Sequence, residues 1–122
     1  VRFSGHGLRD VVHCHCSQCR RAHGTVAAYS ATPLEDFAIE VGESLRWFDA
    51  SPRARRGFCA NCGSTLFWAP RDADTIGVSA GAIDSGPAVR SCARIYTADS
   101  TRYAAMGNRL RNYPGSMDET ED

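Results

Sequence analysis

Five of the chain's six cysteines stand in two tight groups, and any fold of this sequence must bring each group to a point. Cys14, Cys16 and Cys19 lie in the run His13-Cys-His-Cys-Ser-Gln-Cys-Arg-Arg21, a C-x-C-x-x-C pattern, and Cys59 and Cys62 form a later C-x-x-C. Three sulfurs at that spacing reach one metal ion from a single turn, whereas disulfides between such close neighbours are strained. A soft thiolate cluster selects zinc, less often an iron–sulfur centre or copper(I). Structural zinc sites are closed by four protein ligands, while catalytic sites hold three and leave one position open.

Spacing alone leaves two assignments open. Cys16, Cys19, Cys59 and Cys62 can form one closed ribbon-like site, with Cys14 spare. Alternatively, Cys14, Cys16 and Cys19 share an open catalytic ion, and Cys59 and Cys62 belong elsewhere. The distance between the two C-x-x-C pairs exceeds the usual ribbon loop, which counts against the first.

The 122 residues suit one domain with a moderate core. Fourteen basic and fourteen acidic residues cancel, which argues against a protein built to grip nucleic-acid backbone. All the basic residues are arginine, a side chain that binds carboxylates through two parallel hydrogen bonds. No apolar run approaches the roughly 20 residues that span a bilayer, so no membrane partner is expected. Six cysteines without a signal peptide read as metal ligands or buried thiols of a cytoplasmic protein rather than as a secreted disulfide frame. The chain begins at Val1 without an initiator methionine, and a trimmed N-terminus is expected.

Short strands dominate the local pattern. Leu8 to His13 reads as a strand delivering the first cysteines, Arg20 to Gly24 as a turn or short helix, and Thr25 to Ser30 as a strand. Thr32 and Pro33 resemble the cap and first position of a one-turn helix. Phe37, Ile39 and Val41 alternate with polar or small residues, and Gly42-Glu43-Ser44 turns into Leu45–Phe48, which predicts a hairpin. Asp49 to Gly57, with three arginines and Pro52, reads as a solvated loop or edge. Further strands are expected over Thr65–Trp68, Thr75–Ala80 and Ala93–Thr97. The single helical run, Ser100 to Leu110, places Tyr103, Met106 and Leu110 on one face. Residues 1–116 are expected to form one mainly β domain, followed by an acidic disordered tail over 117–122.

The side chains around the cysteines divide further. Alternation along a strand turns His13 and His15 away from the metal face, which favours supporting or surface roles over ligation. His6 and His23 read as surface residues, and Cys92 as a small buried hydrophobe. Arg20 and Arg21 are either a solvated pair or, directly after a metal turn, a site for the carboxylates of an acidic thiol such as glutathione.

From Val1 to about Pro114 the chain resembles the glutathione-dependent formaldehyde-activating enzyme family, also called the centromere protein V domain family. The resemblance rests on Val1-Arg2-Phe3, on His13-Cys-His-Cys-Ser-Gln-Cys-Arg20 and on Phe58-Cys-Ala-Asn-Cys-Gly-Ser64. Val78-Ser79-Ala80-Gly81 with Asp84, Tyr103 and Tyr113-Pro114 match more weakly. It implies an Mss4-like fold of packed antiparallel sheets around zinc-binding turns. It also implies a carbon–sulfur lyase or synthase adding a thiol, glutathione, to an aldehyde, formaldehyde.

Within that resemblance, Cys14, Cys16 and Cys19 hold a labile catalytic zinc. Cys59 and Cys62 supply half of a structural zinc site whose other half, a C-x-C, falls just ahead of Val1. Ser79 and Gly81, with Arg20 and Arg21, become candidate glutathione contacts. Arg94 and Tyr103 depart from the histidine and tryptophan common in the family. The alternative function is a non-catalytic zinc module that binds other molecules.

Overall fold

The structure, a computed structural model, describes residues 1–84, 89–104 and 110–117. Nine strands are present among the described residues: β1 (Arg2–Gly5), β2 (Val11–Cys14), β3 (Ala27–Pro33), β4 (Phe37–Val41), β5 (Leu45–Ser51), β6 (Ala54–Cys59), β7 (Thr65–Pro70), β8 (Thr75–Ser79) and β9 (Ser91–Ile95). One α-helix, α1 (Ser17–His23), and three single 3₁₀ turns are the other regular elements among the described residues. The fold is therefore mainly β, as expected. No helix among the described residues is long and apolar enough to cross a membrane.

The strands form two sheets. β1 and β4 make a two-stranded ribbon, and the other seven run in the order β5-β6-β7-β8-β3-β2-β9. All neighbours in the large sheet are antiparallel except β2 and β9, which are parallel. The expected hairpin between Phe37–Val41 and Leu45–Phe48 does not form. The chain does turn there, with the Leu45 N–H donating to the Gly42 carbonyl, but β4 pairs with β1 while β5 pairs with β6. The reason lies in packing: Phe37 meets Phe3 of β1 and the buried Phe67 of β7, which draws β4 across the large sheet.

Phe67 is fully buried and joins the sheets. Phe3 and Phe37 meet its ring edge-on at 5.0 and 5.2 Å, and Trp47 lies 6.1 Å away. Edge-to-face aromatic contacts at such distances add to ordinary area burial. Leu66, Ile76, Val78 and Cys59 complete the cluster. Gly57, opposite Phe67 on β6, leaves the room this cluster needs: a Cβ there would stand 3.0 Å from the Phe67 ring and 3.1 Å from Trp47.

Three further expectations are corrected. The stretch Asp49–Gly57 is not a loop but a tight hairpin, whose first strand, β5, does lie at the sheet edge. The Ser51 hydroxyl accepts hydrogen bonds from the N–H groups of Arg53 and Ala54 and turns the chain, so β5 and β6 pair almost to the tip. Thr32 is no helix cap. It lies within β3, buried, with its hydroxyl donating to the His6 carbonyl, and the 3₁₀ turn Leu34–Asp36 begins after Pro33 without a side-chain cap. The helix expected at Ser100–Leu110 is not present over its first part, where the residues through Ala104 form a turn with Tyr103 exposed, and positions 105–109, Met106 among them, lie outside the described residues. The expected tail likewise lies outside them beyond Met117.

The Phe67 packing predicts that Gly57→Ala destabilises the domain by about 1–3 kcal/mol, the usual cost of overfilling a packed core. Gly81→Ala, where an added Cβ meets nothing within 4 Å, should stay within about 0.5 kcal/mol of the parent. Urea unfolding followed by tryptophan fluorescence measures both. Equal stability of the two variants would show that Phe67 and Trp47 do not require the missing Cβ.

Candidate metal centre

Cys14, Cys16 and Cys19 come together at one strand–helix junction. Cys14 is the last residue of β2, and its partner across the ladder is Ala27, fully buried and small enough to leave space above it. Cys16 is the N-cap of α1, in extended conformation, and its sulfur accepts the Cys19 N–H at 3.4 Å. That contact sets Cys19, three residues into the turn, beside the capping sulfur. Gly24 closes the helix in the left-handed region at φ 91°, its N–H donating to the Arg20 carbonyl at 2.7 Å. Arg20, Arg21 and His23 occupy the last turn, where the helix dipole favours cations.

The three sulfurs lie within 4.8 Å of one another, an arrangement that could hold a metal ion. A tetrahedral zinc with bonds of about 2.3 Å places its sulfur ligands roughly 3.8 Å apart, so a small inward movement completes the fit. Cys19 is buried, and Cys14 and Cys16 are half-buried, leaving one side of the cluster accessible. Burial is the largest influence on each thiol. It pushes Cys14 up to about 12 and also raises Cys19, whereas at Cys16 the hydrogen bond from the Cys19 N–H helps to bring the value below the ordinary one.

Cys59 and Cys62 stand apart from this cluster, in the turn between β6 and β7. Among the described residues no metal-sized group of histidine, cysteine or acidic side chains joins them to Cys16 and Cys19, so the single four-cysteine ribbon site is not assembled. Cys59 packs with Phe67 and Leu66, and the trio packs instead with Ala27 and Tyr29. Gly63, at φ 79°, lets the turn close, with its N–H on the Cys59 carbonyl. The Ser44 hydroxyl, 3.4 Å from the Cys59 sulfur, and the backbone N–H groups of Cys62 and Asn61 pull that thiol down to about 6.

Sequence reasoning missed the residues that support the trio. Arg56, expected to be solvated, is 8% exposed; its guanidinium donates to the Tyr29 hydroxyl at 3.3 Å and to the Cys19 sulfur at 3.8 Å. His23, expected at the surface, is half-buried, and its Nε2 is hydrogen-bonded to the same hydroxyl at 2.9 Å, with the rings edge-to-face. Burial, and then the nearby Arg56 charge, lower the His23 pKa. One signal was available: Ser51-Pro52-Arg53 is a turn sequence, and a hairpin there places Arg56 inside a strand.

The remaining candidates spread over both faces of β2. Arg20 is half-buried and Arg21 exposed, and neither guanidinium finds a hydrogen-bonding partner among the described residues. Ser79 pairs with Tyr29 across the ladder, which puts it on the cluster's face of the sheet, and Gly81 is exposed in the turn that follows. His13 and the buried His15 line a cavity of about 600 Å³ with Ser91, Cys92, Arg94 and Tyr103, and none of the three clustered cysteines borders it. His13 Nε2 is hydrogen-bonded to the Ser91 hydroxyl at 2.8 Å. Cys92 is exposed on β9 rather than buried, and among the described residues β9 has no neighbouring strand on its outer side.

Comparison with known proteins bears on the fold and on the family. A crystal structure of a Rhodobacter sphaeroides protein is similar in fold, with a TM-score of 0.58 and 23% identity, covering 74% of this chain and 90% of that one. No curated protein sequence matches the chain. The family model described as glutathione-dependent formaldehyde-activating enzyme matches residues 1–99, a span holding both cysteine turns and the Arg56 strand between them. By that match, over most of its length, the chain belongs to the glutathione-dependent formaldehyde-activating enzyme family.

Proposed function

We propose that Cys14, Cys16 and Cys19 hold a zinc ion and that the chain is a carbon–sulfur lyase of the synthase type, joining a thiol to an aldehyde. Glutathione and formaldehyde are the substrates that the family suggests. The observation that carries the reading is the convergence of three sulfurs within 4.8 Å on an accessible turn, with no fourth protein ligand among the described residues. Cys14, Cys16 and Cys19 would hold the ion, and zinc bound there would offer an open position that favours the thiolate form of an incoming thiol.

The bond-making is simple. The thiolate sulfur attacks the carbonyl carbon, the C=O π pair moves onto oxygen, and that oxygen takes a proton to give the S-hydroxyalkyl product. In the reverse direction the C–S bond breaks and the aldehyde leaves. The chain's own residues bring the partners together, which turns an encounter of dilute reactants into a reaction within one site. Arg20 and Arg21, uncommitted in the last turn of α1, are positioned in sequence to take glutathione carboxylates through charge-assisted hydrogen bonds. Ser79 and Gly81, next to Tyr29 in the ladder and in the following turn, are proposed to contact the peptide portion.

Cys59 and Cys62 are proposed as half of a separate structural zinc site. The tight C-x-x-C turn, closed by Gly63 with its N–H on the Cys59 carbonyl, supports this role. All six cysteines are free, and a reducing cytoplasm, which keeps them so, is the proposed compartment.

Two predictions test this reading. Cys16→Ser should remove the metal bound at the trio, measured as metal per chain, and reduce the glutathione–formaldehyde exchange rate, followed by NMR, to the uncatalysed background. Cys59→Ser should lower the melting temperature more than Cys16→Ser does, since Cys59 belongs to the Phe67 core. Identical thermal losses would count against separate roles for the two cysteine turns.

The second concerns the ligand. S-methylglutathione cannot form a thiolate and should bind at least about tenfold more weakly than glutathione in calorimetry. Arg20→Ala should raise the KM for glutathione about tenfold, the scale of one lost charge-assisted hydrogen bond, and leave kcat nearly unchanged. Equal affinity for the two peptides would rule out recognition through sulfur.

A further inference from the structure

We infer that Arg56 is a positioning residue of the metal centre: it donates to a ligand sulfur and balances the charge of the loaded cluster. The inference rests on the metal reading of Cys14, Cys16 and Cys19 and adds a residue from a distant part of the chain.

Arg56 stands on β6, 37 residues beyond Cys19 and three strands away from Tyr29 in the sheet. Strand register places it on the cluster's face: Arg56 pairs with Trp68, Trp68 with Gly77, and Gly77 with Ala31 of β3, two residues from Tyr29. Gly77 keeps this face low. A Cβ there would stand 3.3 Å from Trp68 and 3.5 Å from the Tyr29 ring, so glycine lets Tyr29 and Arg56 meet above β8.

A guanidinium is always charged, and a buried one calls for a counter-charge. Arg56 has none among the described carboxylates, where Arg71 with Asp49 forms the single ion pair. Its hydrogen bonds go instead to the Tyr29 hydroxyl and the Cys19 sulfur. Three thiolates around a dication leave one net negative charge on the half-buried cluster. Arg56 is opposite to that charge in sign, equal in magnitude, and within 3.8 Å of one of its sulfurs.

The fork geometry gives the contact its direction. One guanidinium nitrogen holds the Tyr29 hydroxyl while another reaches Cys19, and the His23 ring secures the same hydroxyl from α1. The Cys19 sulfur is thereby held from outside the cysteine turn. Partners of this kind behind metal ligands typically change affinity by about 10–100-fold when removed.

The test uses the full chain titrated with cobalt(II) and with zinc against a competing chelator, with Cys16→Ser giving the background without the trio. Arg56→Gln, checked for native fold by circular dichroism, should weaken metal binding at the trio about 10–100-fold. It should also move the sulfur-to-cobalt charge-transfer band to longer wavelength, because a thiolate that loses a hydrogen bond gives up electrons more readily. Arg56→Lys keeps the charge without the fork and should shift both readouts in the same direction by less. Arg55→Gln, on the opposite face over Trp47, should shift neither. A merely structural role for Arg56 would lower stability and leave the band in place.

Folded Arg56→Gln with affinity within twofold of the parent and an unmoved band overturns the inference. Should Arg56→Gln not fold, an Arg56→Lys chain indistinguishable from the parent does the same. A parent that binds no more metal than Cys16→Ser overturns the metal reading itself, and this inference with it.

Discussion

The burial of Phe67 between the two sheets is the constraint on which the rest of the molecule depends. Side chains alternate along a strand, so committing one face of β7, β8 and β3 to the aromatic core turns the next residues to the other side. Phe67, Val78 and Ser30 share the packed face, and Trp68, Gly77 and Ala31 share its opposite. Tyr29, Ser79 and Arg56 belong to the second face by the same register. A slip of one residue would bury Arg56 beside Phe67 and point Tyr29 away from the cysteines. The core therefore sets the site's register as well as its stability.

The second face has its own electrostatic logic. Burial in the turn resists ionisation of Cys14, which it pushes up to about 12, and of Cys19, while Cys16 is held below its ordinary value. Two influences oppose that resistance: the Cys19 N–H on the Cys16 sulfur and the Arg56 guanidinium on Cys19. One comes from the local turn and the other from the far side of the sheet. The cysteine motif supplies three sulfurs that could hold a metal ion, and the sheet brings a positive charge to one of them.

Much of this was legible in the sequence. The trio could be read because C-x-C-x-x-C is a local pattern, and local spacing confines sulfurs to one turn whatever the rest of the chain does. The strands around Val11, Ala27, Thr65 and Thr75 were legible for the same kind of reason, since alternation and β-branched residues act within a few positions. The region from Asp49 to Gly57 misled because arginines dominate its composition. Their charge suggested solvent, while Ser51 and Pro52 were already encoding a tight turn. The expected pairing of Phe37–Val41 with Leu45–Phe48 failed because proximity in sequence competes with aromatic packing, and packing against Phe67 prevailed.

By itself, then, the sequence determined a mainly β domain, a three-sulfur turn, a second cysteine turn and the family to which these belong. Each follows from residues within a few positions of one another or from motifs in a fixed order. Only the tertiary structure decided that the two cysteine turns lie in separate clusters, that His23 and Tyr29 meet, and that Arg56 is buried against Cys19. Those facts depend on strand order and register across the sheet. Long-range pairing is fixed by how side chains fill the space between the sheets, which no stretch of sequence carries by itself.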